Sequence, residues 1–268
     1  MLNLTTDRPS SPVAADSLST ILADFQEPPP SLLSERSLLR RVDSKFIAHQ
    51  DTLDRIMPEL QAHYAALRVP TGFVARYHNQ YLDLPGLRYF HDHRRGRRVR
   101  HKVRFRHYPD RLLSFLEVKT KRNALVTDKH RIAVDYQDET LAPTSLAFLS
   151  QHLGAEALAL APSIRINYRR ISLFGLHSHE RATIDFDLQF ISQDNTAYSV
   201  GPLVIFEVKQ AQFSLATPIM RALSAARIRR GSISKYAVAI ATAHPKQRSN
   251  RFLPSIKRIE RIAQCRNI

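Results

Sequence analysis

From Leu38 onward the dominant pattern is alternation of polar and apolar residues with a period of two, as half-buried β-strands require. Over 38–48 it sets Arg41, Asp43 and Lys45 against Val42, Ser44 and Phe46. The same alternation predicts strands over 73–83, 98–108, 112–122, 129–136, 163–174, 180–191 and 202–210, and a short strand-like run from Tyr236 to Thr242. Tyr108-Pro109-Asp110 joins two of these as a hairpin, proline fitting the corner position. Helical spacing takes over in 51–67, where Pro58 predicts a kink, and in 141–153, 215–228 and 250–264. Residues 1–35 are rich in Ser, Thr and Pro, end in a proline run at 28–30, and read as a flexible leader despite a short apolar patch from Leu18 to Phe25. About eight strands in antiparallel order, with few helices between them, predict one α+β domain over 36–268 on a large sheet or closed barrel, ending in a C-terminal helix.

Charge follows the same parity. In 99–107, Arg100, Lys102, Arg104 and Arg106 share one face, with Val99, His101, Val103, Phe105 and His107 on the other. Glu117, Lys119 and Lys121 oppose Leu116 and Val118, and Glu207 and Lys209 oppose Val204, Phe206 and Val208. Arg181, Thr183, Asp185 and Asp187 oppose Ala182, Ile184 and Phe186. On one strand such a row is an ordinary solvent face. Like charges stacked at ~7 Å repel, however, and a solvated face normally interleaves opposite signs with Ser and Thr. Repeated over five or six strands, the pattern suits the lining of a cavity. A cationic lining with a minority of carboxylates matches a triphosphate or polyphosphate, since Arg forks grip phosphate oxygens and Asp or Glu can hold a bridging divalent metal.

Composition sharpens this. The 268 residues are 43% hydrophobic, enough for a core, and carry 40 Lys and Arg against 24 Asp and Glu, a formal charge of +16 that points to a polyanionic partner. The seven glycines are all isolated, which excludes glycine-rich nucleotide loops and leaves phosphate to side chains. The single Cys265 excludes an internal disulfide and a cysteine-clustered zinc site, and suits the reducing cytoplasm. The most apolar stretch, 141–162, is interrupted by Gln151, His152 and Glu156, so no membrane segment is predicted, nor does a secretory signal open the chain. No histidine pair has helical metal-ligand spacing, and Ser145, Ser172 and Cys265 have no evident base partner, so nucleophilic catalysis has no support. Phe105, opposite Arg104 and Arg106, weighs against a base-stacking nucleic-acid platform.

Taken in order, these segments resemble the VTC (vacuolar transporter chaperone) domain, the polyphosphate polymerase branch of the triphosphate tunnel metalloenzyme, or CYTH-like, superfamily. The resemblance covers roughly 36–243 and rests on Arg41-Val-Asp43-Ser-Lys45-Phe46, Tyr81-Leu-Asp83, the Arg100-to-Tyr108 and Phe115-to-Asn123 alternations, Tyr168-Arg-Arg170, Arg181-x-Thr-x-Asp185, Ile205-Phe-Glu207-Val-Lys209 and Ser234-Lys235-Tyr236. It implies an eight-stranded antiparallel β-barrel, a triphosphate tunnel with flanking helices, that binds ATP and a divalent cation, Mn2+ or Mg2+. The implied activity is transfer of the ATP γ-phosphoryl group to a growing polyphosphate chain. Carried over residue by residue, Lys45, Arg104, Arg106, Lys119, Arg170 and Lys209 become the catalytic cations. Arg100, Lys102, Lys121, Tyr168, Arg181, Ser234 and Lys235 become phosphate ligands, and Glu207 becomes the principal metal ligand with Glu117 and Asp185 behind it. Arg165 and Arg169 have the opposite parity to Tyr168 and Arg170, and the resemblance places the latter pair inside.

Superfamily members often open with an acidic E-x-E-x-K run, whereas this chain has R-x-D-x-K, and Arg41 removes one carboxylate from that pattern. A tripolyphosphatase or nucleoside triphosphatase on the same tunnel, and a non-catalytic polyphosphate- or nucleic-acid-binding module, are the alternative activities. Arg94, Arg95, Arg97 and Arg98, around Gly96, form a basic loop that is either a solvated turn or a guide for an anionic chain.

Overall fold

The alternating segments pair into one antiparallel sheet. The computed structural model describes residues 15–35, 41–123 and 127–264; residues 1–14 of the expected leader, the first positions of the expected 38–48 strand and Cys265 lie outside them. The chain begins with α1 (Ala15–Ala23) and α2 (Pro30–Glu35), then β1 (Val42–His49), α3 (Thr52–Leu60), β2 (Tyr64–Ala66) and β3 (Ala75–Asp83). It continues through α4 (Arg88–Arg95), β4 (Arg100–Tyr108), β5 (Leu113–Lys121), β6 (Thr127–Val134) and α5 (Pro143–Leu153). The long strands β7 (Ala161–Gly175) and β8 (Glu180–Ile191) follow, then β9 (Ala197–Ser199), β10 (Leu203–Gln210), α6 (Pro218–Ala225), β11 (Arg230–Gly231), α7 (Lys235–Ala243) and α8 (Leu253–Gln264).

The strand order is β11-β1-β10-β8-β7-β3-β4-β5-β6, with β2 on β7 and β9 on β8. The β4–β5 hairpin forms as the sequence predicts, Arg100 facing Lys121 and Tyr108 facing Leu113. The ladder does not close: β11 and β6 remain its edges, so the sheet has eleven strands and is not the eight-stranded closed barrel that the resemblance implies. Its two halves nevertheless curl toward each other and meet through side chains. Lys102 on β4 reaches Ser234, just before α7, at 2.8 Å.

Helices cover the convex side. Leu18 and Leu22 of α1, Leu53, Ile56, Met57 and Leu60 of α3, and Ile219, Met220 and Leu223 of α6 pack on Phe46, Ile184, Phe206 and their neighbours. On the other half, α5 covers Val103, Phe105, Leu116 and Val118. Residues 15–35, read from composition as part of a flexible leader, thus carry two helices, and Leu18, Leu22 and Phe25 are buried in the core. Leu18, Ile21 and Leu22 form the i, i+3, i+4 stripe of α1, which the Ser/Thr/Pro-rich surroundings mask, and Phe25 packs just past its end.

Three other elements differ from the alternation. The expected 51–67 helix ends at Leu60, and Tyr64, Ala65 and Ala66 form a fully buried strand beside β7. The short β9 has no sequence signal of its own. Residues 236–242 are helical, not a strand: a fully apolar run has no readable period, alanine is the best helix former, and Ser234 caps the N-terminus by accepting from the Ala237 amide. No helix among the described residues is long and apolar enough to cross a membrane.

Candidate functional site

On the concave face, each strand's inner row changes character along its length. Lys45 of β1 is followed by Ile47, Glu207 of β10 is preceded by Ile205 and Leu203, and Tyr168 of β7 by Ile166 and Ile164. The apolar ends are covered by Tyr236, Ala237 and Ile240 of α7 and by Ile256 and Ile259 of α8. The charged ends enclose a cavity with about 1130 Å³ of open space, mouths included.

Most of the residues singled out in the sequence meet there. Lys45, Arg104, Arg106, Lys119, Arg170 and Lys209 all line the cavity, as do Lys102, Tyr168, Arg181, Ser234, Lys235, Glu117 and Glu207. Three do not. Arg100 and Lys121 face each other one step beyond Lys102 and Lys119, and the Arg100 guanidinium donates to the Arg97 carbonyl. Asp185 lies beneath the lining, 1% exposed, accepting from Arg170 at 2.8 Å and from the Lys235 ammonium. Arg165 and Arg169 point away and pair with Glu139 and Asp187.

Asp187 leaves the face that strict parity assigned to it. Between Asn167/Gln189 and Arg169/Phe186 the β7–β8 register gains one residue on β8, and Asp187 has φ of 50°. A single inserted residue turns every following side chain to the other face. Asp185 therefore stays with the cavity cations while Leu188 and Phe190 join the apolar inner cluster.

The sequence reading missed Lys129 on β6 and gave no site role to Arg41, Tyr81 and Tyr236 of the resembling segments; all four line the cavity, with Ile205 and Ile233. The signal for Lys129 is the β5–β6 register, which sets it opposite Lys119. An unpaired strand does not reveal that.

Eleven Lys and Arg side chains line the cavity against two carboxylates. Glu117, 2% exposed, accepts from Arg104 Nε at 2.8 Å and NH2 at 2.7 Å, and forms an ion pair with Lys129 at 2.6 Å. Burial pushes the Glu117 carboxyl up, but Arg104, Arg106 and Lys129 overcome it and hold it well below the usual carboxylate range. Glu207 is held low in the same way by Lys209 at 2.9 Å and Lys45 at 3.1 Å. Aromatic rings fix the guanidinium planes: Tyr77 stacks on Tyr168 at 5.1 Å, Arg170 lies 4.8 Å from the Tyr77 ring, and Arg106 donates to Asn79 at 2.9 Å.

Other cations stay uncompensated. Among the described residues Lys102 has only the Ser234 hydroxyl, and burial together with Lys119, Lys45 and Arg104 pushes its ammonium down to about 7. Lys119 makes no ion pair among the described residues, and Arg181 Nε is buried without a hydrogen-bond partner. Burying charge in this state is costly, and a polyanion removes the cost.

For a divalent cation, no group of three or more His, Cys, Asp or Glu comes together among the described residues. Hard cations that bind phosphate need only one or two carboxylates, the substrate's oxygens and water supplying the rest. Glu207 suits such a site, being 18% exposed toward the cavity where Glu117 and Asp185 are 2% and 1% exposed and clamped by guanidinium groups.

An open, curled antiparallel sheet around a predominantly cationic cavity fits the triphosphate-tunnel class of folds. The VTC domain signature matches residues 40–244, and the chain belongs to that family. No curated protein sequence matches it. Among solved structures it is similar to HpAC1 from Hippeastrum, described as having a dominant triphosphatase activity, at 12% identity and a TM-score of 0.51 over 75% of this chain and 96% of that one. The bh2851 protein of Bacillus halodurans aligns at 12% identity and a TM-score of 0.49, covering 73% and 94%. The PH1819 protein of Pyrococcus horikoshii aligns at 10% and 0.44, covering 76% and 98%. At 12% identity the likeness to HpAC1 concerns the fold alone.

Proposed function

We propose that the chain is an ATP-dependent polyphosphate polymerase acting in the cytoplasm. The observation that carries this reading is the cation excess of the cavity, eleven basic side chains against two carboxylates, with Lys102, Lys119 and Arg181 making no ion pair among the described residues. That excess is larger than one nucleoside triphosphate neutralises, and it suits a second polyanion placed end to end with the first.

In this reading Arg104, Arg106, Lys119, Arg170 and Lys209 hold the ATP triphosphate and the terminal phosphate of the chain in line. The terminal oxygen of the chain bonds to the γ-phosphorus, the bond from that phosphorus to the β–γ bridging oxygen breaks, and ADP leaves with the electron pair. The attacking oxygen is already anionic, so no side chain has to remove a proton. Catalysis consists of alignment and charge neutralisation. Glu207 would hold Mn2+ or Mg2+, which when bound supplies further neutralisation of phosphate charge.

Purified protein incubated with ATP and Mn2+ should yield long anionic polymer on a gel, and Glu207→Ala should not. No polymer from the wild type, or equal polymer from Glu207→Ala, rejects the proposal. A triphosphatase on the same cavity is the second reading, favoured by the activity described for HpAC1. Free phosphate released from tripolyphosphate without chain growth would select it.

A further inference from the structure

We propose that the basic surface where α4 runs into β4, beside the start of α8, is a docking track for the polyphosphate chain outside the cavity. This rests on the polyphosphate reading above and extends it to a surface that the cavity does not include.

The cation row of β4 does not stop at the cavity. Arg106, Arg104 and Lys102 line it, and Arg100, next on the same face, lies just outside, opposite Lys121. Arg100 donates to the carbonyl of Arg97, in the loop that caps α4. Into that loop comes Arg251 from far along the chain. Gly96 has φ of 69°, and a Cβ there would stand 2.0 Å from the Arg251 guanidinium. Glycine is therefore required twice, for the left-handed helix end and for close approach of a cation.

Tertiary structure thus gathers Arg97, Arg98, Arg100 and Arg251 into one place, with Asp92, on Arg97 at 3.0 Å, the ion-pair partner among the described residues. Burial and the neighbouring Arg251 both lower the pKa of Arg100, which marks like charges held together with little compensation. A polyanion leaving past Lys102 and Ser234 meets this surface next. Continuity with the cavity favours a phosphate chain over nucleic acid. So do the local aromatics: Tyr89 and Phe90 are buried and Phe252 packs on Phe90, leaving none of the three as a base-stacking platform.

The test compares binding of long-chain polyphosphate and of tripolyphosphate to the full chain over a salt series. Arg98→Glu combined with Arg251→Glu should weaken long-chain binding about tenfold and flatten its salt slope by about two, as loss of two phosphate contacts predicts. Tripolyphosphate, held in the cavity, should bind as before. Arg98→Gln with Arg251→Gln should shift long-chain binding the same way by less. The control pair Arg55→Glu and Arg221→Glu, exposed on α3 and α6, changes net charge equally and should leave long-chain binding intact.

Unchanged long-chain affinity, an equal loss in the control pair, or a parallel loss for tripolyphosphate overturns the track. A loss confined to RNA or DNA overturns it in favour of nucleic acid. Because these are binding measurements, a wild-type protein that makes no polymer rejects the polymerase reading alone. Polymer synthesis with unchanged long-chain affinity rejects the track alone.

Discussion

Lys102 and Ser234, 132 residues apart in sequence, meet at 2.8 Å across the cavity. The ammonium on β4 donates to the hydroxyl that caps α7, so the two halves of an open ladder are bridged by a side chain. A neutral hydroxyl leaves the Lys102 charge uncompensated, which makes this contact responsive to whatever anion enters.

A proton balance follows. Burial and the neighbouring cations push the Lys102 ammonium down to about 7, and burial pushes Lys209 down to about 8, from an ordinary 10.5. The unfolded chain binds more protons between those limits, so the free protein should gain stability as pH rises from about 7 toward about 10. A bound polyanion favours the charged ammonium and draws protons in. Calorimetric titration with tripolyphosphate at about pH 8, in buffers of different ionisation enthalpy, should reveal proton uptake that Lys102→Met reduces. Buffer-independent heats would sink the idea.

Asp185 is expected to hold the cavity wall rather than a metal. It is buried beneath Arg170 and Lys235 and clamps both. Asp185→Asn strands two cations and should cost about 3 to 5 kcal/mol in urea unfolding. The Mn2+ concentration needed for half-maximal activity should stay the same, whereas Glu207→Gln should raise it. Rescue of Asp185→Asn by added metal would return Asp185 to the ligand set.

Asp83 ties α4 to α7. Its carboxylate accepts from the amides of Leu84 at 2.7 Å, Tyr89 at 2.8 Å and Phe90 at 3.1 Å, and from the Tyr236 hydroxyl. Tyr236→Phe removes one donor but keeps the ring that stacks on Tyr81 at 4.9 Å. Stability should fall by about 1.5 to 3 kcal/mol in denaturant titration, with activity retained. A collapse of activity at unchanged stability would give the hydroxyl a role in the cavity instead.

Leu22, 1% exposed on α1, belongs to the core beneath β1, β8 and β10. Leu22→Ala should lower unfolding free energy by about 2 to 5 kcal/mol. A change below about 0.5 kcal/mol, the range of surface substitutions, would return α1 to a dispensable leader.

The sequence by itself determined the eight longer strands and which face of each is charged up to the bulge in β8, because side-chain direction in a regular strand depends only on parity. Thirteen of the sixteen residues chosen on parity and resemblance line one cavity for that reason. Tertiary structure decided the rest. The one-residue bulge at Asp187 reversed a parity that no sequence count could reverse. Lys129 became a lining residue through its register with Lys119, and Tyr236 through an apolar run whose helix only packing could select. The ladder stayed open because strand pairing ends at β6 and β11, while the charges on its two halves still converged. Burial was also decided there: Glu117 and Asp185 are 2% and 1% exposed and paired with guanidinium groups, whereas Glu207 is 18% exposed and paired with lysines. Such pairings join residues far apart in the chain, and local pattern carries no record of them.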